Sequence, residues 1–313
     1  MKPTFAAVIL NYNDSAQIGV AISCVLEQTV PFDEILIVDD VSTDNSVEII
    51  REMIRDVPQA RLHCNKKNMG VVANCDNGIL LIKSDYVHLI SANDTYFPCI
   101  VEYGHKMVER YPGVAMISAN VAVWDAVKNC AGPDMVMRLP QVASFISPEE
   151  YTARNRVAPV SMNGGGNTIR RDVYLALGGQ DVALKWYADW FLYYLIGFTH
   201  GFAYVPVNYS VYRIEGKKSF SSGLDDPYEQ KMLTLRMVDL LRERYPAQAQ
   251  LFRETAIVPK YSLNVLMALT AAPYRWFITP LLVWRCIGHQ CAFWLKKFLP
   301  RQFLMAVRAV CRL

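Results

Sequence analysis

Short apolar runs alternate with amphipathic stretches through residues 1–120. The apolar runs have the length of buried strands, and the stretches between them are long enough for helices. The predicted strands lie at residues 5–10, 35–38, 61–64, 86–90 and 114–117. Because strands that alternate with helices form βαβ units, this pattern predicts an α/β fold with a mostly parallel sheet flanked by helices.

The second half of the chain has a less regular pattern, and residues 118–160 predict no regular element. The further predictions are a short helix at 171–177 ended by Gly178-Gly179, a helix at 188–199, a strand at 205–213, a polar loop at 216–223 and one charged helix at 226–254. The glycine run at 164–166 could bring the backbone close to a sugar or an acceptor, or it could only form a bend. The sequence leaves both interpretations of this run open.

Polar residues follow the predicted strands. In an open parallel sheet, ligands bind beyond the carboxyl ends of the strands, so these residues are the candidates for chemistry. They are Asn11, Tyr12, Asn13, Asp39, Asp40, residues 65–68 and residues 91–94. A carboxylate such as Asp40 can accept a hydrogen bond from a base or a ribose, and we expect it to contribute little to the core. Asp44 is expected instead to order the turn that follows.

Charge is distributed unevenly along the chain. The whole chain carries a formal charge of +3, and residues 255–313 contain eight basic residues and no acidic ones, so the first 254 residues carry −5. Nucleic acid is therefore not expected as a partner, because the acidic part of the chain would repel it. The eight cysteines include no C-x-x-C pair, and the chain starts without a signal-peptide pattern. Both features predict a cytoplasmic catalytic part with reduced thiols.

The segment 255–313 is basic and aromatic. Its apolar runs are interrupted by single basic residues and by Pro273, Pro280 and Pro300, so no run reaches the ~20 residues of a spanning helix. After Pro300 a helix would separate arginines from most of the apolar side chains, as in helices that lie on an anionic membrane surface. This tail predicts peripheral association with the inner face of the cell membrane. The alternative is a helical subdomain that packs on the catalytic domain or on a second subunit.

Several blocks of sequence carry a resemblance to a known family. They are residues 8–13, Glu27-Gln28-Thr29, residues 34–44, Asn68-Met69-Gly70-Val71, Asn77-Gly78-Ile79 and Ala188-Asp189-Trp190. In content and spacing they resemble the family 2 inverting glycosyltransferases, which have the GT-A fold. The resemblance covers residues 4–215 and leaves the tail outside it.

The resemblance implies transfer of a sugar from a UDP- or dTDP-linked donor to a hydroxyl of a glycan or a lipid-linked acceptor, with inversion, as in polysaccharide biosynthesis. Tyr12 would lie against the base, Asp40 would accept a hydrogen bond from it, and Asp39 would shape the same pocket. Asp189 would be the general base that takes the proton of the acceptor. The implied donor-binding residues are Asn11, Tyr12, Asn13, Asp39, Asp40, Asn68 and Gly70.

The sequence departs from the family pattern at two places. Cys75-Asp76 stands where an Arg-Asn pair is usual, so a cation that could contact the diphosphate is absent. Asn93-Asp94 stands where an Asp-x-Asp or Asp-Asp pair usually binds Mn²⁺ or Mg²⁺. An amide oxygen can replace one carboxylate with one less negative charge, so Asn93 and Asp94 remain the predicted metal ligands. The alternative is an Asx turn that leads into the next helix.

These observations predict a GT-A-like glycosyltransferase domain over residues 1–225, a helical connection over 226–254 and a basic amphipathic tail over 255–313. A nucleotidyltransferase on a similar sheet is less compatible with the sequence, because no loop rich in glycine and lysine follows the first strand. A non-catalytic nucleotide-sugar-binding or membrane scaffold protein stays an alternative, because Asn93 and Cys75 replace expected charges.

Overall fold

A computed structural model of the chain describes residues 2–214 and 226–298, with side-chain surroundings up to residue 292. The contacts between Cα atoms divide the chain into two compact units. The first unit contains the chain up to Arg154 and again from Val160 through the last strand. The second unit contains Asn155–Pro159 and the described helices after residue 225.

The first unit is built on one large sheet. Its strands are β1 Phe5–Asn11, β2 Glu34–Asp39, β3 Ala60–Cys64, β4 Tyr86–Ser91, β5 Thr95–Tyr96, β6 Met116–Asp125, β7 Cys130–Ala131, β8 Ser144–Ile146, β9 Asn167–Arg170 and β10 Phe202–Ile214. They are ordered β3-β2-β1-β4-β9-β6-β10-β5, with β7 beside β6 and β8 beside β10. The strands β3, β2, β1 and β4 are parallel, as are β6 and β10, whereas β9 is antiparallel to both of its neighbours.

Helices flank this sheet. They are α1 Ile18–Leu26, α2 Ser46–Ile54, α3 Val71–Leu81, α4 Ile100–Arg110, α5 Pro148–Val157, α6 Arg171–Ala176 and α7 Ala188–His200. Every residue from Phe5 to Ile9 is buried, and alternate residues of this strand pack in one core with apolar residues of α1 and α4. Burial on both faces explains why β1 is a continuous apolar run in the sequence.

The strands and helices predicted over residues 1–214 agree with the structure in place and type, but the structure also contains elements that the pattern did not predict. Residues 118–160 were expected to be irregular, yet β6 continues to Asp125, and β8 and α5 follow. The reason lies in buried polar residues of β6. The hydroxyl of Ser118 donates to Asn167 Oδ1 at 2.6 Å, and the side-chain oxygen of Asn120 accepts from Met137 N at 3.0 Å. A strand whose core contains hydrogen-bonded polar side chains is not recognised from its hydropathy pattern.

The second unit is helical where it is described. Its helices are α8 Pro227–Glu243, α9 Pro246–Glu254, α10 Leu263–Leu269 and α11 Pro280–Phe298. The single helix expected over 226–254 is wrong, because Pro246 cannot continue a helix and instead occupies the start of α9. Asp226 caps α8 by accepting from the backbone N–H groups of Tyr228 and Glu229. The loop expected at 216–223 lies outside the described residues.

Part of the tail is packed within this unit. The side chains of Val265, Leu269, Phe277, Leu282 and Cys286 are buried. The Arg285 guanidinium donates to the carbonyl oxygens of Asn155, at 2.5 Å, and Thr255. Residues 255–292 therefore include a packed helical subdomain, and the association of the tail with a membrane stays a prediction. The helix expected after Pro300 lies outside the described range, and no described helix is both long and apolar enough to cross a membrane.

Candidate active site

The ends of β1 and β2 are joined by their own polar side chains. Asn11 and Asp39 are register partners, and both are buried. The Asn11 amide donates to Asp39 Oδ1 at 2.7 Å, and Ser42 donates to Asp39 from its backbone N–H at 3.0 Å and from its hydroxyl at 2.5 Å. Asn11, Asp39 and Ser42 thus join the end of β1 to the loop after β2, and the role of Asp39 in shaping a donor pocket stays a prediction.

Asp40 connects the end of β2 to the next loop. Its Oδ1 accepts from Asn65 Nδ2 and from Met69 N, each at 2.8 Å, and its Oδ2 accepts from Gly70 N at 2.8 Å. The expectation that Asp40 contributes little to the fold is therefore wrong, because it binds the start of α3 to the end of β2. A carboxylate has about four acceptor positions, so one position on Oδ2 is not used by these three hydrogen bonds.

The loop after β1 leaves an aromatic ring open to solvent. Asn13 adopts a left-handed backbone conformation, with a φ of 53°. Its Oδ1 accepts from Thr43 N at 2.7 Å, and its own N–H donates to Ser42 Oγ at 2.9 Å. Tyr12 lies between Asn11 and Asn13, both of which are held by hydrogen bonds, and its own side chain is 51% exposed. A ring in this position can stack on a nucleotide base.

Asn68 completes the group of predicted donor-binding residues. Its amide Nδ2 donates to the carbonyl oxygen of Asp40 at 3.2 Å, and its Oδ1 accepts from Gly70 N at 3.1 Å. Gly70 has a φ of 77° and precedes α3 directly. The structure thus brings the predicted donor-binding residues together at the carboxyl ends of β1 and β2 and the start of α3.

The predicted metal ligands lie in a turn after β4. Since β4 pairs with β1 up to Leu10 and Ser91, this turn is beside the loop that carries Tyr12. Asn93 Oδ1 accepts from the Ser91 hydroxyl, and Asp94 Oδ1 accepts from Arg213 N at 3.4 Å. No group of three or more His, Cys, Asp or Glu side chains among the described residues could hold a metal ion. Oxygen ligands from one or two side chains still suit Mg²⁺ or Mn²⁺ that is shared with a diphosphate.

Asp189 is the second residue of α7, and its side chain is half-buried. Burial raises the pKa of this carboxyl group to about 6, and the backbone N–H of Trp190, 2.6 Å from Oδ1, only partly opposes the shift. The glycine run forms a short turn at Gly164–Gly166, and a Cβ atom at Gly164 would lie 2.8 Å from Asp189 Oδ2. Gly164 therefore permits a close approach of the backbone to Asp189.

Sequence reasoning treated Asp76 only as a departure from the family pattern, and the structure gives it partners. Asp76 Oδ1 accepts from the Tyr174 hydroxyl at 2.5 Å and from Gln180 N at 3.1 Å. Burial raises the pKa of Asp76, and these two hydrogen bonds oppose the shift. Its neighbour Cys75 is buried, and the burial together with the charges of Asp189 and Asp76 raises the pKa of the thiol. No sequence signal links Asp76 to partners so far along the chain.

Most of the elements around this site lie in a segment that matches a known family. Residues 6–173 match the model of "Glycosyl transferase family 2", and the matched segment contains the strand ends, α3 and the turn after β4. The chain belongs to glycosyl transferase family 2. This glycosyltransferase is 27% identical to an uncharacterized glycosyltransferase of Nostoc sp., over 72% of this chain and 69% of the relative. It is 24% identical to an uncharacterized glycosyltransferase of Haemophilus influenzae, over 82% of each chain.

Solved structures share the fold of this glycosyltransferase. S. aureus TarS in complex with UDP-GlcNAc superposes with a TM-score of 0.67 at 12% identity, over 90% of this chain and 87% of that one. The mannosyltransferase PcManGT of Pyrobaculum calidifontis, in complex with GDP-Man and Mn²⁺, gives a TM-score of 0.55 at 16% identity, over 94% and 81%. At these identities the likeness concerns the fold, and it confirms the expected GT-A-like α/β architecture.

Proposed function

We propose that this glycosyltransferase moves a sugar from a nucleoside diphosphate donor, UDP- or dTDP-linked, to a hydroxyl of a glycan or lipid-linked acceptor. The observation that carries the proposal is the half-buried Asp189 carboxyl group, whose pKa of about 6 suits a general base near neutral pH. The UDP-GlcNAc and GDP-Man held by the structural neighbours support the same class of donor.

In the proposed reaction Asp189 accepts the proton of the acceptor hydroxyl as its oxygen bonds to the anomeric carbon. The bond from that carbon to the diphosphate breaks on the opposite side, so one in-line displacement inverts the configuration. Tyr12 stacks on the base, and Asp40 accepts a hydrogen bond from it through its remaining acceptor position. When bound by Asn93 and Asp94, a divalent cation supplies charge neutralisation of the leaving diphosphate.

Thermal stabilisation of the full chain tests the donor assignment. A panel of nucleotide sugars is added with and without Mn²⁺, and the midpoint of unfolding is recorded, because a ligand that binds only the folded state raises it by mass action. We expect UDP- or dTDP-linked sugars to raise the midpoint most. Transfer or donor hydrolysis is then measured with the donors that bind. Binding with neither activity would identify a non-catalytic nucleotide-sugar-binding protein, and no shift with any donor would contradict the proposal.

The metal assignment predicts that Asn93→Asp strengthens Mn²⁺ binding. A second carboxylate adds the negative charge that a hard cation prefers, so we expect about tenfold tighter Mn²⁺ binding to the UDP complex. Asp94→Asn should weaken it by a similar factor. Calorimetric titration of Mn²⁺ into the UDP complex measures both. Unchanged Mn²⁺ affinity in both variants would remove Asn93 and Asp94 from the metal site.

We also propose that the second unit binds the inner face of the cytoplasmic membrane through α11, as suits an enzyme that acts on lipid-linked acceptors in polysaccharide biosynthesis. Trp284 and Ile287 lie three residues apart, on one face of this helix, and are 73% and 46% exposed. The segment 255–313 supplies eight basic residues and no acidic one. An exposed tryptophan with basic residues nearby suits the headgroup region of an anionic bilayer.

Accordingly, the double substitution Trp284→Ser and Ile287→Ser should reduce sedimentation of the full chain with phosphatidylglycerol vesicles by about fivefold or more. Both side chains are exposed, so the fold should tolerate the change. The matched control is Leu80→Ser, which removes a side chain that is 63% exposed on α3. Equal sedimentation of the double variant and the control would mean that α11 does not bind the bilayer.

A further inference from the structure

Helix α3 contacts both halves of the proposed site. The N–H of Gly70, directly before α3, donates to Asp40 Oδ2, so the start of the helix belongs to the donor pocket. Asp76 lies six residues later, which is about 9 Å along a helix at ~1.5 Å per residue. There its Oδ1 accepts from Tyr174 and Gln180. One rigid element thus joins the strand end that carries Asp40 to the turn after α6.

The turn at Gly178 and Gly179 packs directly against Asp76. Gly178 and Gly179 both have positive φ angles, of 80° and 73°. A Cβ atom at Gly179 would lie 2.8 Å from Asp76 Oδ1, so the carboxylate packs directly on the turn. Only glycine fits both this conformation and this contact. The position of the turn is therefore defined by the position of Asp76.

The same turn begins the segment that ends at Asp189. Asp181 accepts from Ala183 N at 2.9 Å and so caps a short 3-10 helix, Val182–Tyr187, which is kinked at Lys185 (φ of 50°) and leads directly into α7. This short helix packs against both α7 and α3. A displacement of Gln180 would therefore be passed to the first turn of α7, where Asp189 lies.

From these contacts we propose that Asp76 is a positioning residue for the sugar-transfer reaction. Asp76 accepts from the Tyr174 hydroxyl and from the backbone N–H of Gln180. Through these two hydrogen bonds it fixes the segment 178–189, and hence Asp189, relative to the donor pocket that contains Asp40. Asp76 itself touches neither the donor nor the acceptor in this assignment. The inference depends on the proposed function, because it assumes that Asp189 is the base.

The test compares Asp76→Ala with Asp76→Asn in the full chain. Alanine removes the acceptor, and a displacement of ~1 Å at a reacting group can cost 10²-fold, so we expect kcat to fall by about 10- to 100-fold. The donor Kd should stay within about twofold, because Asp40 and Gly70 are untouched. Asparagine keeps a side-chain oxygen that can accept from both Tyr174 and Gln180, so it should restore kcat to within about fivefold of the parent chain.

Amide hydrogen exchange supplies a readout that does not require activity. We expect faster exchange at residues 178–189 in Asp76→Ala, unchanged exchange at residues 65–70, and protection regained in Asp76→Asn. An Asp76→Ala chain with parental kcat and parental exchange would overturn the inference, and so would an Asp76→Asn chain as inactive as Asp76→Ala. If the parent chain transfers no sugar, the proposed function fails, and exchange alone then decides whether Asp76 fixes the segment.

Discussion

We expect Asp189→Asn to lower the rate of sugar transfer by about 10²- to 10⁴-fold, the usual contribution of a general base. The amide has nearly the shape of the carboxyl group but cannot take the acceptor proton. Donor affinity should be unchanged, because the predicted donor-binding residues lie on other elements. Initial rates with saturating donor measure the loss, and calorimetry with UDP or dTDP checks the donor affinity. Transfer at the parental rate would place the base elsewhere, and Asp181 is the next acid along the chain to test.

The raised pKa of Asp189 also predicts how the parent enzyme responds to pH. Transfer should increase as pH rises through about 6, where the carboxyl group loses its proton, and should level off above that. Asp189→Asn should lose this limb of the profile. A parental profile without a limb near pH 6 would contradict the assignment.

The raised pKa of Asp189 also means that its ionised form destabilises the fold at neutral pH. The folded-state pKa lies above the ordinary aspartate value of about 3.9, so the folded chain binds the proton more tightly than the unfolded chain. Stability is therefore lost as pH rises from about 4 to about 6. Because the side chain is only half-buried, we expect Asp189→Asn to stabilise the fold at pH 7 by on the order of 1 to 2 kcal/mol. The two chains should be equally stable below pH 4, and thermal unfolding at both pH values tests this.

Asp40→Ala is expected to weaken UDP or dTDP binding by about 10- to 100-fold and to destabilise the fold as well. The carboxylate accepts from Asn65, Met69 and Gly70, and its removal deprives these three donors of the hydrogen bonds that they make to it. Loss of a buried acceptor of this kind costs about 2 to 3 kcal/mol. Calorimetry measures the binding, and denaturant unfolding measures the stability.

Asp44→Ala is the matched control for this substitution. Asp44 accepts from the backbone N–H groups of Ser15 and Ser46 at 2.8 and 3.1 Å, so its loss should also destabilise the fold. It is not a predicted donor-binding residue, so nucleotide affinity should be retained. If Asp40→Ala binds nucleotide as tightly as Asp44→Ala does, the assignment of Asp40 to the donor pocket is wrong.

The sequence could predict the part of the fold in which burial and hydropathy coincide. The strands β1 and β2 are covered on both faces and appear as unbroken apolar runs, and the polar residues that follow them lie together because parallel strands end at one edge. The continuation of β6 beyond residue 117 was not predicted, because Ser118 and Asn120 are buried with their hydrogen bonds satisfied. A hydropathy pattern carries no information about such partners.

The same limit applies to the roles of single residues. Asp40 was predicted as a ligand group, but nothing in the sequence shows that it also accepts two backbone N–H bonds from the loop before α3. Arg285 was expected at a membrane surface, and its guanidinium instead binds backbone carbonyl oxygens. Contacts between residues distant along the chain depend on the tertiary fold, and they decide whether a charge faces a ligand, the solvent or the protein itself.

The second unit is discontinuous along the chain, because Asn155–Pro159 belongs to it although the residues on either side do not. Arg285 donates to the Asn155 carbonyl oxygen, and Arg156 forms an ion pair with Glu254 at 2.6 Å. A stop codon after β10 would remove both partners while the internal segment stayed in the chain. The C-terminal helices therefore cannot be removed by truncation alone. A shortened enzyme needs a redesigned segment at 155–159 as well as an earlier C-terminus.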